Sequence, residues 1–226
     1  MIELATFIHY ATVALAVSIN AVGVSLGEGF TSMAALDSSN QQPQARALIS
    51  RMAIIGMAFI ETAAILGSII AMMLLLGPEA TSTSWYTHIA TIGIGLAMCV
   101  SGLVIGIVSA LPAQAACHAV ARQPFFGSRI LGFMLMTQAL IQTPIISGLI
   151  VAFCIRNQAL SATHMADCLR LIASGLCIGV GSIGPALGLA YFARTACQGL
   201  GINRHAYNKL LSFTLVSQAI IETPVL

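Results

Sequence analysis

The sequence predicts an all-α membrane protein built from three tandem transmembrane helical hairpins. Of its 226 residues, 58% are hydrophobic and 7% are charged, and the mean hydropathy is +0.95. Soluble globular proteins carry about 25% charged residues, so the composition excludes that class. One short motif also recurs three times at a nearly constant interval, which indicates an internal repeat.

The repeated motif places a polar residue in the middle of an apolar stretch. It reads Met-Ala-Phe-Ile-Glu-Thr-Ala at 57–63, Gln-Ala-Leu-Ile-Gln-Thr-Pro at 138–144 and Gln-Ala-Ile-Ile-Glu-Thr-Pro at 218–224. Its central residues, Glu61, Gln142 and Glu222, lie 81 and 80 residues apart. A carboxylate inside a membrane is costly and marks a functional site by default. Glu61 and Glu222 are therefore candidate functional residues, with a structural buried Glu as the alternative.

Six apolar stretches are long enough to cross a bilayer, which takes about 20 residues. They are 5–36, 46–77, 86–118, 127–155, 168–198 and 206–226. Paired in order, they predict hairpins at 1–80, 81–160 and 161–226. The last stretch stops four residues after Glu222, short of a full span, so we expect the chain to be clipped there.

The first hairpin contains small residues at every second position from Gly23 to Gly29, which favours close packing on more than one side. The polar segment 37–43 predicts its turn, and a linker follows at 78–85. The second hairpin turns at 121–124, which reads Ala-Arg-Gln-Pro. The third begins with the glycine-rich run 179–188 and turns at 201–204.

The basic residues are unevenly distributed. Seven of the nine lie at or beside the loops inside the hairpins: Arg46, Arg51, Arg122, Arg129, Arg194, Arg204 and Lys209. The positive-inside rule predicts that these loops face the cytoplasm, or the matrix or stroma of an organelle, and that the termini face the opposite side. The N-terminus lacks a basic segment, so we expect the first helix to be retained. The net charge of +2 gives no reason to expect a nucleic-acid partner.

The cysteines form no CxxC pattern, and most fall within the spans, at Cys99, Cys117, Cys154, Cys168, Cys177 and Cys197. We interpret them as small apolar side chains rather than as disulfides or metal ligands. The sequence contains no paired nucleophile and base, no metal-binding cluster and no nucleotide motif. It predicts a non-catalytic chain.

The loop and the motif together resemble the c subunit, or proteolipid, of rotary ATP synthases and ATPases. In the bacterial F-type form, a glycine-rich helix leads to an Ala-Arg-Gln-Pro loop, and a carboxylate follows eighteen residues after the Pro. The same interval joins each loop to its motif here: Pro43 to Glu61, Pro124 to Gln142 and Arg204 to Glu222. Each hairpin therefore looks like one c subunit, and the resemblance covers nearly the whole chain.

The resemblance implies a double-layered rotor ring of several chains in a bacterial inner membrane. Glu61 and Glu222 would carry H⁺ or Na⁺, and the chain would need no tightly bound cofactor. The implied partners are membrane lipid, a stator a subunit with a counter-charge Arg, and central stalk subunits. The stalk would contact the loops at Gln42, Pro43, Arg122, Gln123 and Pro124.

Three departures from the family pattern stand out. Fused hairpins resemble V-type proteolipids more than the single-hairpin F-type form. The second hairpin has Gln142 in place of the carboxylate, so it should carry no ion. The third hairpin lacks the Arg-Gln-Pro loop, and the first has Gln42-Pro43 without the Arg. Fewer carriers per turn lower the ion-to-ATP ratio, which favours ATP-driven pumping.

The identity of the ion stays open at this point. Thr62 and Thr223 follow the carboxylates, and Gln218 lies one turn before Glu222, as in Na⁺-type forms. Pro224 cannot donate to the carbonyl of Ile220, which is a Na⁺ ligand position in those forms. A hard cation at Glu61 or Glu222 needs several such oxygen ligands. The same groups can also form hydrogen bonds with a protonated Glu.

Glu28 occupies the position of a first-helix Gln in Na⁺-type forms, fifteen residues before Pro43. A second carboxylate beside Glu61 would leave one of the pair protonated. A hydrated carboxylate without such a role is the alternative reading of Glu28. The corresponding residues of the other hairpins are Ser109 and Leu189, and Leu189 cannot bind an ion.

Three other functions compete with an F-type rotor. A V-type-like proteolipid of an ATP-driven pump would share its motif. A repeat-built secondary transporter would need inverted repeats or broken helices around a polar path, whereas hairpin is added to hairpin here. A membrane scaffold with degenerate sites would fit Gln142 but leaves Glu61 and Glu222 unexplained.

Overall fold

The computed structural model describes residues 2–77 and 84–225, and its regular structure in these ranges is helical, without a strand. The predicted linker at 78–85 lies mostly outside the described residues. The helices are α1 (Ile2–Gln41), α2 (Arg46–Leu76), α3 (Trp85–Val108), α4 (Ala110–Arg122), α5 (Gly127–Ile141), α6 (Thr143–Ala159), α7 (Met165–Gly181), α8 (Ile183–Ile202) and α9 (Tyr207–Glu222).

Within residues 2–77 and 84–225, five segments are long and apolar enough to cross a membrane. They are Glu3–Gln41, Pro43–Leu76, Trp85–Arg122, Pro124–Ala159 and Met165–Ile202. Three of them join two helices end to end: α3 with α4, α5 with α6, and α7 with α8. The structure confirms the predicted all-α membrane class with tandem helical hairpins.

The interruptions between the joined helices have a common cause. Each lies two or three residues before a proline, namely Pro112, Pro144 or Pro185. Proline has no backbone N–H, so the carbonyl four residues earlier loses its helical partner. The hydrogen-bond ladder of each joined pair therefore has a gap at that carbonyl.

Each hairpin turns through a short 3₁₀ helix at the same place in the repeat: Pro43–Ala45, Pro124–Phe126 and Arg204–Ala206. The predicted first turn at 37–43 begins too early, because α1 continues to Gln41 and the chain turns at Gln42 and Pro43. The side chain of Gln41 donates to Asp37 at 2.9 Å, and the Ser38 hydroxyl bonds His118 Nδ1 at 3.0 Å. Through these hydrogen bonds, the side chains of Asp37 and Ser38 find partners while their backbone stays helical.

The helices form two layers. In the inner layer, α1 packs along α3 and α4, which in turn pack along α7 and α8. In the outer layer, α2 contacts α1, α3 and α4, while α5 and α6 together contact α3, α4, α7 and α8. Each of these outer elements therefore lies over the groove between two consecutive inner elements.

Glycines bring the inner helices into backbone contact. A Cβ at Gly106 would lie 2.7 Å from the carbonyl carbon of Gly23, and a Cβ at Gly27 would overlap the Gly106 carbonyl oxygen. Gly93 and Gly175 make the same kind of contact between α3 and α7. Small residues allow this approach in a membrane, where close packing drives helix association.

The buried apolar side chains form two clusters along the helices. One includes Met52, Phe133 and Met134, and the other includes Ile60 and Ile141. Those last two residues immediately precede the central positions of the first two motifs. The repeated motif thus lies within the apolar part of the molecule.

Candidate functional site

Each of the two candidate carboxylates lies after the turn of its hairpin, in α2 and in α9. Glu61 lies in the middle of α2 and is exposed in the single chain, whereas Glu222 is the last residue of α9 and is half-buried. Glu28 of α1 is half-buried, and its carboxyl interacts electrostatically with that of Glu61. The structure brings Glu28 and Glu61 together in the first hairpin.

A threonine-carbonyl unit accompanies every copy of the motif. The Thr hydroxyl donates to the carbonyl three residues earlier: Thr62 to Phe59 at 2.6 Å, Thr143 to Leu140 at 2.7 Å and Thr223 to Ile220 at 2.5 Å. In each case the carbonyl belongs to the residue two before the central Glu or Gln. The repeat therefore reproduces a local geometry as well as a sequence.

Proline explains why these carbonyls are available in two of the hairpins. Pro144 and Pro224 cannot donate to Leu140 and Ile220, so the hydroxyl bond is a replacement for the missing helical bond. The first hairpin has Ala63 at this position. The Phe59 carbonyl of this hairpin accepts from the Thr62 hydroxyl and also from a side chain of the second hairpin.

Two glutamines of the second hairpin reach backbone carbonyls of neighbouring helices. Gln142 Nε2 donates to the Phe59 carbonyl of α2 at 3.0 Å. Gln138 Nε2 donates to the Gly56 carbonyl of α2 at 3.2 Å and to the Ser109 carbonyl at 3.0 Å. Both side chains are buried, at 0% and 7% exposure for Gln138 and Gln142. The neutral copy of the motif thus joins the first two hairpins.

The third hairpin differs at the corresponding place. Gln218 is fully buried, yet neither its Oε1 nor its Nε2 has a hydrogen-bond partner among the described residues. Thr214, one turn earlier, is also fully buried, and its hydroxyl has no hydrogen-bond partner within residues 2–77 and 84–225. An unsatisfied amide is costly in an apolar medium, so Gln218 is available for a ligand beside Glu222.

The inner-helix positions opposite the motif also differ. Ser109 is fully buried and its hydroxyl donates to the Ile105 carbonyl at 2.7 Å, while Leu189 is fully buried and apolar. Only Glu28, in the first hairpin, supplies a charge at this position. The three copies therefore share the outer-helix unit but offer different inner-helix groups.

The loop residues lie together at the ends of α4 and α8. Arg122, Gln123, Pro124 and Arg204 line an open cavity of about 330 Å³. The Gln123 amide donates to the Gly201 carbonyl at 3.1 Å, which ties the second loop to the third hairpin. Gln42 and Pro43 form the corresponding turn of the first hairpin.

Sequence reasoning did not single out Phe59, Leu140 or Thr143. Glu61, Gln142 and Glu222 drew attention because their side chains are polar, whereas Phe59 and Leu140 act through the backbone. The spacing offers a signal, since Ile220 is predicted as a ligand carbonyl and its counterparts Leu140 and Phe59 lie one and two repeats earlier. The second donor to the Phe59 carbonyl, Gln142, depends on packing between hairpins.

Part of the chain is similar in sequence to known proteins. The sequence profile of the c subunits of ATP synthase matches the chain twice, at residues 11–74 and 92–155. A 62-residue segment is 44% identical to the c 2 subunit of the ATP synthase of Cereibacter sphaeroides (strain ATCC 17029 / ATH 2.4.9). That alignment covers 27% of this chain and 75% of the relative.

Proposed function

Because the chain belongs to the family of ATP synthase c subunits, we propose that Glu61 and Glu222 carry the ions of a rotor ring. Membership of this family supports the interpretation of the chain as an integral membrane protein that carries protons or other ions in a ring within ATP synthase. The observation that carries the proposal is the repeat itself: both carboxylates occupy the same motif position, beside the same threonine-carbonyl unit.

Each carrier site is completed by the preceding hairpin in this proposal. The Gln142 side chain reaches back from the second hairpin to the Phe59 carbonyl of the first. By the same repeat relation, we expect the Glu222 carboxyl to lie beside the Leu140 carbonyl and Thr143 in the working ring. Glu61 faces the corresponding groups of another copy, Ile220 and Thr223. Its exposure in the single chain fits a site that a neighbour completes.

The chemistry of transport follows from the cost of a bare charge in lipid. A carboxylate must be neutralised by H⁺ or by a cation before it leaves an aqueous channel. The ring then turns past lipid, and the ion is released where a stator a subunit supplies a counter-charge Arg. The loops at Gln42-Pro43 and Arg122-Gln123-Pro124 transmit the rotation to central stalk subunits.

We favour H⁺ as the ion at Glu222. A proton needs one acceptor, which the Leu140 carbonyl would supply in this proposal, whereas a hard cation needs several oxygens. The inner-helix position of the third hairpin is the apolar Leu189, which removes one candidate oxygen. Na⁺ is the second candidate, because the unpaired amide oxygen of Gln218 could bind it beside Glu222.

The direction of coupling follows from the number of carriers. Each chain has two carboxylates for three hairpins, so fewer ions cross the membrane per turn of the ring than in a ring with one carrier in every hairpin. A low ion-to-ATP ratio favours ATP-driven pumping over synthesis. The basic residues at the loop end support a cytoplasmic location for the loops in a bacterial inner membrane.

Carbodiimide labelling of the assembled membrane complex tests the carriers. The reagent attacks protonated carboxyls that are accessible from lipid, and mass spectrometry maps the product to a residue. We expect labelling at Glu61 and Glu222 that falls as pH rises. Protection by Na⁺ at fixed pH would identify Na⁺ as the ion instead, and an absence of labelling at both residues at every pH would exclude them as carriers.

A further inference from the structure

The hydrogen bonds of Gln138 and Gln142 point to a role for the neutral hairpin. Both amides donate across the boundary between the first two hairpins, to Gly56 at 3.2 Å and to Phe59 at 3.0 Å. Gln138 also donates to Ser109 of its own hairpin at 3.0 Å. Together they make a clamp of three bonds to main-chain carbonyls, and we refer to these two residues as the amide clamp.

A carbonyl oxygen accepts hydrogen bonds and cannot donate them. The position beside the Phe59 carbonyl therefore requires a donor. A carboxyl group meets that requirement only while it is protonated, whereas an amide meets it at every pH and in the absence of any ion. Gln142 has the shape of a Glu side chain and always presents the donor.

The other boundary within the chain lacks this arrangement. Gln218 corresponds to Gln138, but neither of its side-chain polar atoms is bonded among the residues that the structure describes. The first hairpin has Met57 at the same place, where the sulfur accepts from the Ser32 hydroxyl at 3.3 Å. Of the three copies, the second alone pairs its motif amides with the preceding hairpin in the described part of the chain.

We propose that the amide clamp acts as a permanent counterpart of a protonated carboxyl and keeps the boundary between the first two hairpins closed throughout rotation. Gln142 is then a positioning residue that holds α2, which bears Glu61, against the second hairpin. Opening to load or release an ion is confined to the other boundaries. This inference rests on the proposed carrier role of Glu61 and Glu222.

The first test replaces Gln142 by a titratable isostere in the full complex. The Q142E variant has the donor at low pH and loses it at high pH, so we expect the ratio of Glu61 labelling to Glu222 labelling to match the wild type at low pH and to rise about fivefold at high pH. If that ratio keeps its wild-type value at all pH values, the inference is overturned and the carrier proposal stands. If the wild-type carboxylates are unlabelled, the carrier proposal itself fails.

The second test does not depend on a new carboxyl. Q142L and Q138L each remove donors from the clamp, and S147A is the matched control, since the Ser147 hydroxyl donates to the Thr143 carbonyl of its own helix at 3.3 Å. Loss of one such bond is worth about 1 kcal/mol, or about fivefold in an equilibrium.

We expect Q142L and Q138L to raise the labelling rate of Glu61 about fivefold, because α2 is released. Glu222 provides an internal reference whose rate should not change, and S147A should change neither. A Glu61 rate in Q142L and Q138L equal to that in S147A would contradict the clamp. Equal acceleration at Glu61 and Glu222 would also contradict it, because it would reveal a general loosening of the ring.

Discussion

The side chain of Asn20 in α1 fills the space that a side chain at Gly67 of α2 would occupy. A Cβ at Gly67 would overlap the Asn20 amide nitrogen and lie 2.9 Å from the Ala16 carbonyl oxygen. Asn20 also lies against Gly102 of α3, so a single fully buried amide is enclosed by glycines of two other helices. This contact fixes the distance between the two helices of the first hairpin.

Replacing Gly67 by Ala should therefore separate α1 from α2. We expect a loss of about 1–3 kcal/mol, the range for inserting a methyl group into a packed core. The thermal stability of the purified ring in detergent measures the effect. The control is G29A, because a Cβ at Gly29 meets nothing within 4 Å and Ala is the better helix former. Equal stability of the two variants would contradict the packing argument.

The Thr143 hydroxyl should affect a carboxylate that lies in a different hairpin. In T143A, the Leu140 carbonyl loses the donor that replaces its helical bond, so it should bind the proton of Glu222 more firmly. We expect the labelling of Glu222 at high pH, where the carboxyl is mostly ionised, to rise about fivefold, as for one hydrogen bond, while that of Glu61 is unchanged. T62A is the control, since Phe59 still accepts from Gln142. An effect of T143A on Glu61 would refute the assignment of partners.

Neutralising one carrier should reduce transport without stopping rotation. The chain already contains one neutral copy of the motif, so E222Q should add a second. We expect the number of ions moved per ATP hydrolysed to fall by about half, because one of two carboxylates per chain remains. Pumping into vesicles, measured alongside ATP hydrolysis, gives the ratio. The double variant E61Q/E222Q should abolish pumping, and residual transport in it would exclude both residues.

The loop contact between Gln123 and Gly201 should contribute to stability. Q123A removes the 3.1 Å bond between the second loop and the third hairpin, at a cost of about 1 kcal/mol. Phe125, two residues away, has its whole side chain exposed, so F125A should leave the unfolding midpoint unchanged. Comparing the two midpoints tests whether the bond or the loop as a whole matters.

The fold was predictable because a bilayer restricts the choices. Long apolar segments must be helical, and a repeat of about eighty residues sets their pairing. The sequence was misleading at Asp37 and Ser38, where turn-forming residues are held in α1 by a partner in another helix. Such a partner becomes visible only once the helices are packed.

The candidate site was predictable in part. Glu61 and Glu222 are conspicuous as carboxylates in apolar segments, and Thr62 and Thr223 follow them in the chain. The partners of Gln138 could not be predicted, because Gly56 and Ser109 accept through main-chain oxygens, which every residue type has. Likewise, the contrast between the bonded Gln138 and the unpaired Gln218 depends on how two hairpins with similar sequences pack.

The central residues occur along the chain in the order Glu61, Gln142 and Glu222. In a ring where the third hairpin of one chain lies next to the first hairpin of the following chain, the two carboxylates are therefore unevenly spaced. With both glutamates as carriers, successive ions are separated alternately by two hairpin widths and by one. The torque on the rotor then arrives in paired pulses followed by a gap, and elastic energy stored elsewhere in the machine has to carry the ring across it. Single-molecule rotation records of such a rotor would contain dwell times of two lengths in alternation.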